Sequence, residues 1–289
     1  MEGYAPGERV ILDENFNEVK RITFEKSEKD TLVNKGHLAD GHDFYLFDLD
    51  HYIISGYLKD RVYNIPGYPD GSNVIYSYLQ EVDHGNVVWE WRSIDYPEIY
   101  SLTVTDATPT ANDFANVQVD APDYVHFNAM RVDNDGNLVC SFRHLDTIMC
   151  LDRTKSTDQI IWKLSGLGDQ FNLTDDQKTS GQHYLTLDGD YIMVFNNGNN
   201  NEQTTFNRYK IDASTMQLLD MRTYSVPDKF TSACGSVQHL YDEVYMIGWG
   251  HPCNDYVCMS VYDFAEDKEL ISMTLDNSAN FTYRCVYYE

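Results

Sequence analysis

Short runs in which apolar and polar residues alternate, each bounded by Asp, Asn, Gly or Pro, recur along nearly the whole chain. A period of two marks strands, not helices, and no amphipathic run of three helical turns interrupts them. Residues 9–25 read as two strands around the turn Asp13 to Asn17. Residues 42–92 read as four, HDFYLF, YIISGYLKDRVYN, SNVIYSYLQEVD and NVVWEWR, with turns at Asp48-Leu49-Asp50, Pro69-Asp70-Gly71 and His84-Gly85. Residues 123–164 supply four more, and further units run 183–224 and 235–275. Four antiparallel strands in about forty residues is the size of one β-propeller blade. The closing strand of successive units repeats as well: VVWEW, IIWKL, LLDMR, LISMT.

The pattern therefore predicts an all-β chain folded as a single β-propeller domain over residues 1–289. Five repeats are visible, and Ser93 to Pro122 or residues 26–41 have room for strands of a sixth blade. The final run, TYRCVYYE, is a lone strand. Pairing it with the half blade at the N-terminus would close the ring and leave no exposed edge.

Within residues 123–164 the turn Asp133-Asn134-Asp135-Gly136 has the composition of a tight hairpin. Placing its midpoint between 134 and 135 sets opposed residues at numbers summing to 269, which pairs His126 with Arg143. Opposed residues face the same side about 5 Å apart, so an imidazole and a guanidinium share one end of this hairpin. Aligning the units on their first hairpins puts His42, His126 and His183 at one repeat-equivalent position, near the start of each innermost strand. The same arithmetic sets Tyr57 opposite His42 and Phe195 or Asn196 opposite His183, and Trp249 falls at the matching place of the last unit. One mouth of the channel is thus expected to carry three imidazoles, Arg143, Asn196 and an aromatic wall of Tyr57, Phe195 and Trp249. A single histidine at a strand start is usually structural; three at equivalent positions beside an arginine form a pattern. The other histidines fall in turns or at non-equivalent places; His144 abuts Arg143 and is a partial exception, although alternation should turn it away from the channel.

Charge sharpens the choice of ligand. Lys and Arg number 21 against 46 Asp and Glu, a formal charge of −25. Such a field disfavours nucleic acid and anionic membranes, and any anion must be held by local positive groups. No run of 18 apolar residues suggests a membrane span, and the start MEGYAPGERV lacks the basic and apolar regions of a signal peptide. As written the chain is expected to be cytoplasmic, or periplasmic or secreted if an export signal was trimmed. The six cysteines show no zinc spacing; Cys140 with Cys150, and Cys253 with Cys258, are close enough in the pattern to pair, but most are expected to be free and buried. Gly166-Leu167-Gly168 lacks the strand-turn-helix setting of a nucleotide loop.

Arg143 beside histidines suits a tetrahedral oxyanion such as a sulfate or phosphate ester. One imidazole can attack as a nucleophile while another protonates the leaving oxygen. Aromatic neighbours favour a flat apolar substituent. Three histidines can also bind zinc, but with Arg143 at the spot and no carboxylate aligned among them, no metal and no cofactor is expected. A non-catalytic propeller binding anions or proteins is the alternative, and a metallohydrolase the third reading.

The motifs VHFNAM at 125–130, SFRHLDTIMCLDR at 141–153, SGQH at 180–183, FNNG at 195–198, GSVQ at 235–238 and GHDF at 41–44 resemble the bacterial aryl-sulfate sulfotransferase family, which works without phosphoadenylyl sulfate. The resemblance runs from about residue 9 to the C-terminus. It implies a six-bladed propeller and ping-pong transfer of a sulfuryl group from an aryl sulfate to a phenol. By it, His183 would be the nucleophile forming a sulfohistidine, His126 and Arg143 would hold the sulfuryl oxygens, and His42 would assist proton transfer. Asn128 matches a polar residue beside the second histidine. Asn196 stands where the family has an acid, Tyr184 where a smaller polar group is common, and the N-terminal β-sandwich domain of some members is missing.

Overall fold

The computed structural model describes residues 6–104, 121–251, 256–276 and 281–288. Its strands in chain order are β1 (Pro6–Gly7), β2 (Arg9–Leu12), β3 (Glu18–Ile22), β4 (Ala39–Asp40), β5 (Phe44–Asp48), β6 (His51–Val62), β7 (Ser72–Asp83), β8 (Asn86–Arg92), β9 (Phe127–Val132), β10 (Leu138–Phe142), β11 (Thr147–Leu151), β12 (Ile160–Leu164), β13 (Tyr184–Asp188), β14 (Tyr191–Asn196), β15 (Thr205–Asp212), β16 (Gln217–Tyr224), β17 (Ser236–Tyr241), β18 (Val244–Gly248), β19 (Val257–Asp263) and β20 (Lys268–Thr274). They form four four-stranded antiparallel sheets, β5 to β8, β9 to β12, β13 to β16 and β17 to β20, and two two-stranded ones, β2 with β3 and β1 with β4. The arrangement is compatible with a propeller, and the first strands β5, β9, β13 and β17 neighbour one another in sequence. The recurring apolar runs VVWEW, IIWKL, LLDMR and LISMT all lie in the fourth strand of their sheets.

Three apolar clusters fill the spaces between sheets. One joins β5 to β8 with β9 to β12, the second carries Trp162 and Phe171 against β13 and β14, and the third holds Phe195, Phe206 and Trp249. A fully buried aromatic of this size is worth about 1.5–3 kcal/mol.

Ring closure differs from the sequence expectation. The tail, residues 281–288, forms no strand and does not join β2 and β3. It runs beside β17, tied by two side chains on one face of that strand. Ser236 Oγ accepts from Cys285 N at 2.9 Å and donates to Cys285 O at 2.8 Å; Gln238 does the same for Tyr287 at 2.7 and 3.0 Å. Gly248, opposite Ser236, makes room, since a Cβ there would lie 2.6 Å from Cys285 N. The N-terminus pairs elsewhere, Pro6 with Asp40. Six complete blades are not present among the described residues. Residues 26–41 contribute only β4, and much of Ser93 to Pro122 lies outside the description.

Most of the described cysteines are free and buried, as expected. Cys140 pairs with Met149 and Cys150 with Val139, so the two thiols point to opposite faces and both are free. Cys258 is free, and Cys253 lies outside the described residues.

Candidate active site

His42 stands two residues before β5, and His126 and His183 stand immediately before β9 and β13, the first strands of three four-stranded sheets. His42 and His126 meet edge to face, with ring centroids 5.0 Å apart. The hairpin joining β9 and β10 follows a sum of 270, with Cys140 opposite Met130, until a bulge between Ser141 and Phe142 absorbs Asn128 and restores 269. Arg143 N then donates to His126 O at 2.8 Å. The pairing expected from a simple hairpin is therefore reached through a bulge, and His126 is held at φ 51°. Left-handed backbone at a non-glycine residue is strain of the kind that collects at functional sites.

Each imidazole has its Nδ1 claimed by an acceptor. His42 Nδ1 lies 2.6 Å from Asp40 Oδ2, and His126 Nδ1 lies 2.6 Å from Asp123 Oδ2. His183 Nδ1 meets Asn197 Oδ1 at 2.8 Å and Gly181 O at 3.0 Å. The Asn197 amide orientation is fixed because its Nδ2 donates to the carbonyls of Thr231 and Cys234. With Nδ1 donating, Nε2 of the neutral His183 ring keeps its lone pair for chemistry. The expectation that no carboxylate accompanies the histidines is thus corrected. Asp40 and Asp123 sit two and three residues before their partners, Asp40 in the two-residue strand β4 and Asp123 in an isolated bridge to Ile75, outside the hairpins on which the units were aligned.

Arg143 is the local positive charge. Its Nη2 donates to Ser232 O at 3.3 Å, its Nε is buried with no hydrogen-bond partner, and among the described residues it joins no salt bridge. Gly181, at φ +68°, lies beside Arg143 Nη2 and makes room for the Asn199 amide, since a Cβ there would lie 2.7 Å from Asn199 Nδ2. Burial first, then Arg143, holds the His183 imidazole well below its ordinary pKa; burial, His42 and Arg143 do the same to His126. Burial pushes Asp123 and Asp146 up to about 6.

These shifts carry a sign. His126 and His183 remain neutral below pH 6.5, where a free imidazole is half protonated; the unfolded chain then binds more protons, so their burial costs stability on acidification. The two aspartates oppose this, because they bind protons more tightly folded than unfolded between about 6 and about 4. Single-turnover donor cleavage at saturating donor is accordingly expected to be level from pH 8 through 6.5 and to fall only below about 6. Half-loss at 6.5 or higher in quenched-flow measurements would contradict the neutral, shielded nucleophile.

The remaining sequence candidates separate into two groups. Tyr57 lies with the histidines, its ring 5.7 Å from His42 and 5.5 Å from His126, and its hydroxyl donates to Phe127 O. Asn128 donates from Nδ2 to Gln182 O at 2.7 Å and leaves Oδ1 buried without a partner. Asn196 shapes the loop before His183, accepting from Ser180 N at 2.8 Å and donating to Thr205. Phe195 and Trp249 are not brought to the cluster. Both are fully buried on either side of Phe206 in the core between the third and fourth four-stranded sheets, and Trp249 Nε1 is satisfied by Ser260. They sit on a face that packs between sheets.

Three groups escaped the sequence reading. His144 stacks on His126 at 4.5 Å and is buried, because a 3-10 turn at Arg143–Leu145 breaks the alternation that would have turned it outward; burial takes its pKa down to about 3. Asn197 was hidden beside Asn196. Tyr283 arrives on the tail. Asp123, His126 and His144 have ligand-type atoms within 4.8 Å of one another, yet both Nδ1 atoms already serve Asp123, through its carboxylate and its carbonyl. The donor set fits a hydrogen-bonded triad better than a cation site next to Arg143.

Beneath this layer Asp43 is buried between Arg131 and Arg284, at 3.0 and 2.9 Å. Arg284 also donates to Asn128 O at 2.5 Å and lies over the rings of Tyr184 and Tyr283. The rim residues therefore rest on an ionic floor.

Among solved structures the chain is similar to the crystal structure of a protein of unknown function from Bacteroides caccae, with 10% identity over 93% of this chain and 69% of that one, at a TM-score of 0.44. No curated protein matches. The model of the family described as arylsulfotransferase (ASST) matches residues 1–253, which takes in every motif histidine and Arg143. The chain belongs to the arylsulfotransferase family.

Proposed function

We propose that this chain transfers a sulfuryl group from an aryl sulfate to a phenol in two steps through a sulfohistidine on His183. The observation that carries the reading is a neutral, buried imidazole with Nδ1 held by Asn197, beside a guanidinium whose Nε has no partner. His183 Nε2 attacks sulfur, the sulfur–oxygen bond to the ring breaks, and its electron pair leaves with the phenolic oxygen. The imidazole becomes an N-sulfo imidazolium that keeps its Nδ1 proton on Asn197 Oδ1. Arg143 holds the sulfuryl oxygens, which share one negative charge in the donor; a guanidinium suits such an oxyanion, and His126, neutral with its Nδ1 on Asp123, packs edge to face on His42. His42, entering the step as an imidazolium paired with Asp40, gives its Nε2 proton to the departing oxygen and, then neutral, takes one from the incoming phenol. The second step reverses the first with the acceptor in place of the product.

Mixing the protein with 4-nitrophenyl sulfate and phenol should release nitrophenolate. Quenching with donor alone and weighing the intact protein should show an adduct of about 80 Da. Donor binding without the adduct would favour a non-catalytic anion-binding propeller.

A further inference from the structure

The tail brings one more hydroxyl to the cluster. The Tyr283 ring meets His42 edge to face at 5.6 Å, and its Oη is buried with no hydrogen-bond partner. Its neighbours fix its place. Tyr283 O accepts from Gly235 N at 3.0 Å, Arg284 is bound to Asp43, and Cys285 is tied at both backbone atoms to Ser236. A buried hydroxyl left unpaired is costly, so such a group held rigidly against a motif histidine points to a missing partner.

Building on the sulfuryl-transfer reading, we propose that Tyr283 donates a hydrogen bond to the phenolic oxygen of the donor as the sulfur–oxygen bond breaks. The oxygen in question is the one His42 serves, and Tyr283 touches His42. The sulfuryl oxygens are served by Arg143. Burial raises the Tyr283 pKa far above the ordinary phenol value, Arg284 opposing and Cys234 and Asp43 adding to it. The hydroxyl therefore keeps its proton and acts as a donor, not as a base. In the step itself Nε2–S forms, S–O breaks, the electron pair goes to the phenolic oxygen, and Tyr283 retains its proton while stabilising that pair. The product phenolate then takes its proton from His42. A donor aimed at developing oxyanion charge commonly supplies about 10²–10³ in rate.

Tyr283→Phe keeps the ring against His42 and removes only the hydroxyl. Single-turnover cleavage of phenyl sulfate should fall about 10²-fold. With 4-nitrophenyl sulfate, whose nitro group already disperses the charge, the loss should be under about 10-fold on the same scale. The adduct should still form, and the denaturation midpoint should stay level or rise, because an unpaired buried hydroxyl is removed. Equal losses with the two donors, or no loss with phenyl sulfate, would overturn the assignment while leaving the sulfohistidine intact. If the unaltered protein forms no adduct, the sulfuryl-transfer reading fails first.

Discussion

His183→Ala is expected to form no adduct with an aryl sulfate and to release nitrophenolate at least about 10⁴-fold more slowly, the scale seen when a covalent nucleophile is removed. The substitution leaves His42 on Asp40 and His126 on Asp123, so the remaining imidazoles keep their tautomers and their places. It also leaves Arg143, whose binding of the sulfuryl oxygens does not need His183. Donor affinity should therefore survive within a few fold while turnover is lost. Intact-mass and single-turnover assays separate the two. An adduct retained in His183→Ala would move the nucleophile to another ring, and His42 or His126 would have to be tested in its place.

The largest effect on stability is expected from Asp43→Asn. Asp43 is buried, pairs with Arg131 and Arg284, and accepts from Met130 N at 2.9 Å. Burial alone would raise its pKa, but the two guanidinium groups outweigh it and hold the carboxyl below its ordinary value. Neutralising it strands two largely buried cations in a low dielectric, a change that commonly costs about 3–5 kcal/mol. Denaturant unfolding should show that loss at pH 7, and because the carboxyl is depressed in the folded state, the difference from the unaltered protein should shrink as pH falls from about 4 through its folded value. An unchanged midpoint would mean that the arginines are solvated or repaired by other acids. Activity should fall as well, since Arg284 is bonded to Asn128 O and adjoins Tyr283.

Much of the fold and part of the site were legible in the alternation of residues. Period two located each four-stranded unit, and repeat alignment put His42, His126 and His183 before their innermost strands because hairpins carry register over short distances. The same arithmetic failed wherever the backbone left the ladder. The 3-10 turn after Phe142 hid His144, and the segments before His42 and His126, outside the aligned hairpins, hid Asp40 and Asp123. Phe195 and Trp249 show a different limit: alternation says which residues share a face of a sheet, but not whether that face meets the channel or the next sheet. The tail could not be placed at all by pairing rules, because Ser236 and Gln238 side chains stand in for the strand it was expected to join.

That side-chain tether has an energetic corollary. A strand in a ladder is released only when its sheet melts, whereas the tail can peel away after breaking a handful of polar contacts and the Asp43 pair. Such a release is a local opening that withdraws a phenol and a guanidinium together and leaves the four sheets standing. Occupancy of the site by an anion would oppose that excursion by mass action.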